Sequence, residues 1–168
     1  VVSAVFGGTG FQPGQVSAPV DAEADAEGNI YVIDSARRRL QKFDPAGKYL
    51  AGVDVRTSPG NSSEDSQPWG LAVAPSGEVI VADTFGWRIR IFDKDLKPLS
   101  VFGETPDTSK PTPGPLELFG PRDVAIGSDG SLWGTDTGHD RIQVFTLQGQ
   151  FVKTVGSSGG GEGQFDEP

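Results

Sequence analysis

The 168-residue chain has no cysteine, no methionine and a single histidine, His139. Without thiols there are no disulfides, thiolate metal centres or cysteine nucleophiles, and one imidazole cannot build a histidine-rich zinc site. No apolar run approaches the roughly 18 residues that a membrane-spanning helix needs. Cations are scarce too: 14 Lys and Arg stand against 23 Asp and Glu, a net charge of −9. An acidic surface of that kind repels phosphate backbones and argues against nucleic acid as a partner. No initiator methionine and no signal-peptide pattern stand at Val1, which predicts a processed or excised piece of a larger protein. Turn formers are plentiful, with 24 Gly and 13 Pro, and 35% hydrophobic residues suffice for a core.

Self-comparison shows three gapless segments, Pro19 to Phe43, Pro68 to Phe92 and Pro121 to Phe145, spaced 49 and then 53 residues apart. Their matched columns are Gly28/Gly77/Gly130, Asp34/Asp83/Asp136, Arg39/Arg88/Arg141, Leu40/Ile89/Ile142 and the terminal phenylalanines. Each unit reads as four short strands. An alternating strand such as Gly70–Ala74 is followed by a turn containing glycine, then by apolar strands such as Val79–Ala82 and Ile89–Phe92. A second turn leads to a fourth strand such as Leu99–Phe102. No helix is predicted. Apolar residues on both faces of the middle strands imply sheets stacked face to face, and four-strand repeats of this length imply propeller blades.

The pattern of these columns resembles the NHL repeat, whose propellers are commonly six-bladed and similar to the TolB-like group. The resemblance covers nearly the whole chain; Gly14–Pro19 and Gly163–Pro168 both resemble its opening. The expected fold is therefore all-β, a propeller section of four-stranded antiparallel NHL-type blades. Residues 1–14 are expected to supply the outer strand of a preceding blade and a connection. Blades follow at 15–63, 64–114 and 115–156, and 157–168 connect to a next blade.

The recurring Asp–x4–Arg column reads as a structural latch. Asp34, Asp83 and Asp136 would accept backbone N–H groups of the following turn and pair with Arg39, Arg88 and Arg141. The glycine clusters Gly7–Gly14 and Gly156–Gly163 lack the Lys-Ser/Thr and the following helix of a phosphate cradle; they read as connections. The connections 54–67 and 104–117 are Pro-, Ser- and acid-rich, and read as solvated spacers or recognition loops. Asn61-Ser62-Ser63 forms a glycosylation sequon. Trp133 is expected in the core.

The resemblance further implies that the blade connections and the loops between second and third strands share one face. That face would gather Arg37, Arg38, Trp69, Phe85, Trp87, Arg122, Asp123, His139 and Asp140, with Trp69 and Trp87 either exposed or wedged between blades. Aromatics beside arginines are typical of partner hot spots and sugar platforms. The expected function is a noncatalytic binding or scaffolding module of a larger extracytoplasmic or membrane-associated protein. It would recognise a protein or glycan, adjoin the remaining blades, and need no cofactor or metal. The competing expectation is part of a metal-dependent propeller hydrolase or lyase, with Asp21 and Asp123 as Ca²⁺ ligands.

Overall fold

The computed structural model describes residues 5–57 and 66–168. Twelve strands form three four-stranded antiparallel sheets, each a meander in chain order. The first blade contains β1 (Pro19–Ala24), β2 (Ile30–Asp34), β3 (Arg39–Phe43) and β4 (Tyr49–Asp54). The second contains β5 (Pro68–Val73), β6 (Val79–Asp83), β7 (Arg88–Phe92) and β8 (Pro98–Phe102). The third contains β9 (Val124–Ile126), β10 (Leu132–Asp136), β11 (Arg141–Phe145) and β12 (Phe151–Val155), and a short parallel pair follows, β13 (Ser157–Ser158) with β14 (Gln164–Phe165). The sequon at residues 61–63 lies outside the described residues, as do residues 1–4 of the expected N-terminal outer strand.

Local chemistry sets the hairpins. Asp44 and Asp93 each accept backbone N–H groups two and four residues ahead, closing the turn between third and fourth strands. In each blade the pairing of these two strands slips at the terminal phenylalanine, at Phe43, Phe92 and Phe145. Such bulges add twist to the outer edge of the blade.

Because β-strand side chains alternate, each middle strand serves two neighbours. Tyr31, Ile33 and Leu40 of the first blade pack against Leu71, Val79, Val81 and Phe92 of the second. Ile80, Ala82, Ile89 and Ile91, on the second blade's other face, pack against Val124, Leu132 and Phe145 of the third. Ring contacts lace the outer edge: Phe102 leaves the second blade and meets Phe145 at 5.0 Å, and Phe6 meets Phe43 at 5.2 Å in the equivalent place.

Trp133 departs from expectation. It shares the column of the fully buried Tyr31 and Ile80 but is only half-buried. Its indole Nε1–H donates to Ser131 Oγ at 2.8 Å, and Lys153 Nζ lies 5.2 Å from the ring centroid. The reason is positional: among the described residues no further sheet stacks on this face of the third blade.

Candidate binding face

The aspartate column is the frame of the face. Asp34 accepts the backbone N–H groups of Ser17 (3.0 Å) and Ala18 (2.9 Å). Asp83 accepts from Gln67 N (2.9 Å) and Ser66 Oγ (2.8 Å), and Asp136 from Phe119 N (2.7 Å). The amides held are thus mainly those 16 or 17 residues upstream, just before the first strand. Among the described residues the following turn gives a backbone amide only to Asp83, through Gly86 N at 3.3 Å. Each carboxylate therefore ties the end of a second strand to the entry of the first, a closure of greater range than the sequence implied.

The arginine half of the column also differs. Arg39 lies 3.4 Å from Asp34 and Arg141 2.7 Å from Asp136. In the second blade, however, the partner of Asp83 is Arg90, at 2.8 Å, whereas the Arg88 Nε–H donates to the Gly86 carbonyl at 3.1 Å. Arg141 reaches further and donates to the carbonyls of Pro113, Gly114 and Glu117. That fastens the 104–117 connection to the blade.

The loops between second and third strands are single tight turns, 3-10 at Ser35–Arg37 and Thr137–His139. All three end on a non-glycine residue in the left-handed region: Arg38 (φ 54°), Trp87 (φ 54°) and Asp140 (φ 51°). A backbone well this uncommon for L-residues persists because the flanking strands impose it, and it fixes the direction of the adjoining side chains.

At the junction of the second and third blades these loops create a solvent-facing aromatic group. Trp87 packs edge-on to Phe119 at 5.6 Å, and the Phe119 ring lies 5.7 Å from that of His139. Gly138 permits this arrangement, since a Cβ there would stand 2.4 Å from the Phe119 ring. His139 Nδ1 lies 3.0 Å from Asp136 Oδ2. The Asp140 carboxyl is held below the usual carboxylate range, first by the backbone N–H of Glu167 that it accepts at 2.9 Å and then by Ser158.

Two clefts adjoin here. The larger, about 470 Å³, runs between Trp87, Phe119 and His139 and a strap containing Pro106, Lys110 and Pro113. The other, about 420 Å³, is bordered by Phe85, Trp87, Phe119, Arg122 and Glu167. Four of the expected site residues thus meet: Phe85, Trp87, Arg122 and His139. The others do not join the two clefts. Arg37 stacks on Phe11 at 3.4 Å, Arg38 closes its turn, Asp140 anchors Glu167, and the exposed Trp69 projects from the inner strand β5. The sequence reading missed Phe119 and the strap residues Lys110 and Glu117. One signal was available: Phe119 stands in the column of Ser17 and Ser66, an apolar ring where the other two blades carry a hydroxyl.

Asp21 and Asp123 are not arranged as a Ca²⁺ cradle. Asp21 Oδ2 accepts the Leu71 N–H at 2.8 Å and Oδ1 the Ala22 N–H, and Asp123 Oδ1 accepts the Val124 N–H. Asp21 thus fastens the first blade to the second, and Asp123 holds the first amide of β9. The second blade supplies no third one because the inner strands touch: a Cβ on Gly70 would lie 2.5 Å from the backbone of Arg122 and Asp123. Desolvation by the surrounding protein, then the charge of Asp21, raises the Asp123 carboxyl above the usual range. Among the described residues no group of three or more metal-ligating acids or histidines occurs.

Comparison with known proteins agrees with the fold. The family model described as "NHL repeat" matches residues 66–92, which contain the first three strands of the second blade. The chain is 33% identical over 82 residues to NHL-repeat-containing protein 4 of Homo sapiens, covering 49% of this chain and 59% of that protein. It is also 33% identical over 95 residues to Protein brain tumor of Drosophila melanogaster, covering 55% of this chain and 9% of that one. Among solved structures it is similar to a catalytically inactive virginiamycin B lyase from Staphylococcus aureus (TM-score 0.61, 21% identity, 80% of this chain and 40% of that one). Hydrazine synthase of Kuenenia stuttgartiensis is likewise similar (TM-score 0.65, 14% identity, 89% and 40%). At such identities the structural likeness carries the fold alone. The chain spans less than two thirds of the length of each of these proteins.

Proposed function

We propose that this chain, three consecutive NHL-type blades of a β-propeller, is a noncatalytic binding or scaffolding module whose loop face recognises a protein or glycan partner. The observation carrying the reading is the aromatic group at the junction of the second and third blades. Trp87 and the 54%-exposed Phe85, on a turn locked by backbone geometry, face solvent together with Phe119 and Arg122 of the following connection. A monomer gains nothing by exposing large rings together, and partner hot spots are built from such residues. Stacked blades hold them in place, so little ordering cost remains at binding.

The proposal places the module in a larger, six-bladed, TolB-like ring of an extracytoplasmic or membrane-associated protein, as the resemblance of its repeats implies. No helix among the described residues is long and apolar enough to cross a membrane. The hydrolase or lyase reading retains only its structural likeness to virginiamycin B lyase, which extends to fold and not to activity.

Affinity capture and glycan-array binding by the wild-type chain, set against a Phe85→Ala/Trp87→Ala/Arg122→Ala variant of equal melting temperature, test the proposal. Loss of the captured partner or glycan is expected; equal binding by the two proteins would refute it.

A further inference from the structure

The larger cleft restricts what its occupant can be. Its charged groups are already paired with one another: Lys110 Nζ is bonded to Glu117 Oε1 at 2.9 Å and lies 3.4 Å from Asp107 Oδ2. The hydrogen bond to Glu117 is the main reason the Lys110 ammonium is held above, and the Glu117 carboxyl below, its ordinary pKa. His139 Nδ1 is committed to Asp136. What otherwise faces the space, apart from Gly138 and the exposed Thr108 at the rim, is ring carbon and proline: Trp87, Phe119, Pro106, Pro111 and Pro113. A glycan ring carries several hydroxyls, and burying them here without partners would cost more than stacking returns. A flat apolar side chain meets no such penalty.

Three further features narrow the occupant. The strap is held open: Arg141 binds the carbonyls of Pro113 and Gly114, and Glu104 pairs with Glu117 in a parallel bridge. The cleft is therefore formed before anything enters it. Because a carboxylate can only accept, a neutral His139 donates from Nδ1 to Asp136, leaving Nε2 as an acceptor for one hydroxyl or indole N–H. At the rim the exposed Asp107 stands beside Lys110, and the chain as a whole carries a net charge of −9, so a positively charged partner segment is favoured.

We propose that this cleft receives a tryptophan or tyrosine side chain from an extended, basic segment of a protein partner. The inference rests on the binding-face reading above and chooses the protein arm of it. The test uses defined probes: the peptides acetyl-Lys-Trp-Lys-amide and acetyl-Lys-Ala-Lys-amide, and chitotriose. Binding is followed through the indole N–H and imidazole resonances of the isotope-labelled chain, which has three tryptophans and one histidine. The tryptophan peptide is expected to shift the Trp87 and His139 resonances, with at least tenfold weaker binding by the alanine peptide. Thr108→Phe, a substitution at an exposed rim position, should plug the cleft and abolish the shifts without lowering the melting temperature.

Shifts that persist in Thr108→Phe overturn the location, and absence of shifts in the wild type overturns the inference. Chitotriose shifting Trp87 where the peptide does not would overturn the inference while leaving the loop face a binding surface. Failure of the face itself would appear separately, in the capture and array comparison with the triple variant.

Discussion

Arg90, two residues beyond the column arginine, holds Asp83: its Nε–H donates to Oδ2 at 2.8 Å, and neither side chain is accessible to water. Arg88 and Arg90 lie on the same face of β7, since side chains two apart share a face. Among the described residues the two Nη atoms of Arg90 have no hydrogen-bond partner, so the pair is incompletely satisfied as well as buried. Arg90→Ala leaves the Asp83 charge uncompensated and is expected to cost about 3–5 kcal/mol. Asp83→Asn/Arg90→Met, which removes both charges, is expected to lie within about 1–2 kcal/mol of wild type. Urea unfolding of the 168-residue chain checks both; a double variant as unstable as Arg90→Ala would contradict the account.

Gly70 sits where the inner strands of the second and third blades converge. Any Cβ there meets backbone rather than a side chain able to rotate away. Gly70→Ala is therefore expected to destabilise by about 1–3 kcal/mol, the scale of overpacking, despite alanine's smaller backbone entropy loss. Wild-type stability by thermal melting would show that these strands can separate.

Asp123 titrates in the sense opposite to a paired carboxylate. Its folded carboxyl is raised above 3.8 by desolvation and by Asp21, so the folded chain gives up that proton less readily than the unfolded one. This contribution falls away as pH rises from about 3.8 through the raised folded value, and above it the charged group is a liability. Asp123→Asn, whose amide oxygen can still accept the Val124 N–H, is expected to melt higher than wild type at pH 7. The difference should vanish near pH 3. A variant less stable at pH 7 would reverse the sign.

The hydrogen bonds already held by Asp21 and Asp123 also bear on Ca²⁺. Melting in millimolar CaCl₂ is expected to match melting in EDTA. A Ca²⁺-dependent rise, lost in Asp21→Asn, would restore a cation to the inner-strand end.

Ile80 and Trp133 occupy one repeat column in different surroundings. Ile80 is fully buried between blades, so Ile80→Ala is expected to cost about 2–5 kcal/mol. Trp133 is covered on one side only, and Trp133→Ala should cost clearly less than the ~3–5 kcal/mol usual for a large aromatic in a core. Equal losses in chemical denaturation would show that something covers the third blade's outer face.

The blades were legible because each repeat carries the whole instruction for a four-stranded sheet. Glycine or an Asx side chain sets the turns, and alternating apolar residues set both faces. The aspartate column was legible as structural for the same reason, its recurrence. Its bonding partners were not: neither the reach to Ser17, Gln67 and Phe119 nor the choice of Arg90 is encoded in spacing. The resemblance grouped nine residues on one face, but only Phe85, Trp87, Arg122 and His139 border the two clefts. Phe119, which binds that group together, belongs to a connection whose course depends on neighbouring blades.

Sequence by itself determined the local matters: strand and turn positions, which residues have two apolar faces, and that blades repeat. Those depend on backbone sterics and side-chain alternation, which act over a few residues. Tertiary structure alone decided which arginine meets Asp83, why only glycine fits at position 70, and that two rings and an imidazole line a cleft. Each of these depends on how closely one sheet approaches the next, a distance set by the packing of both faces together.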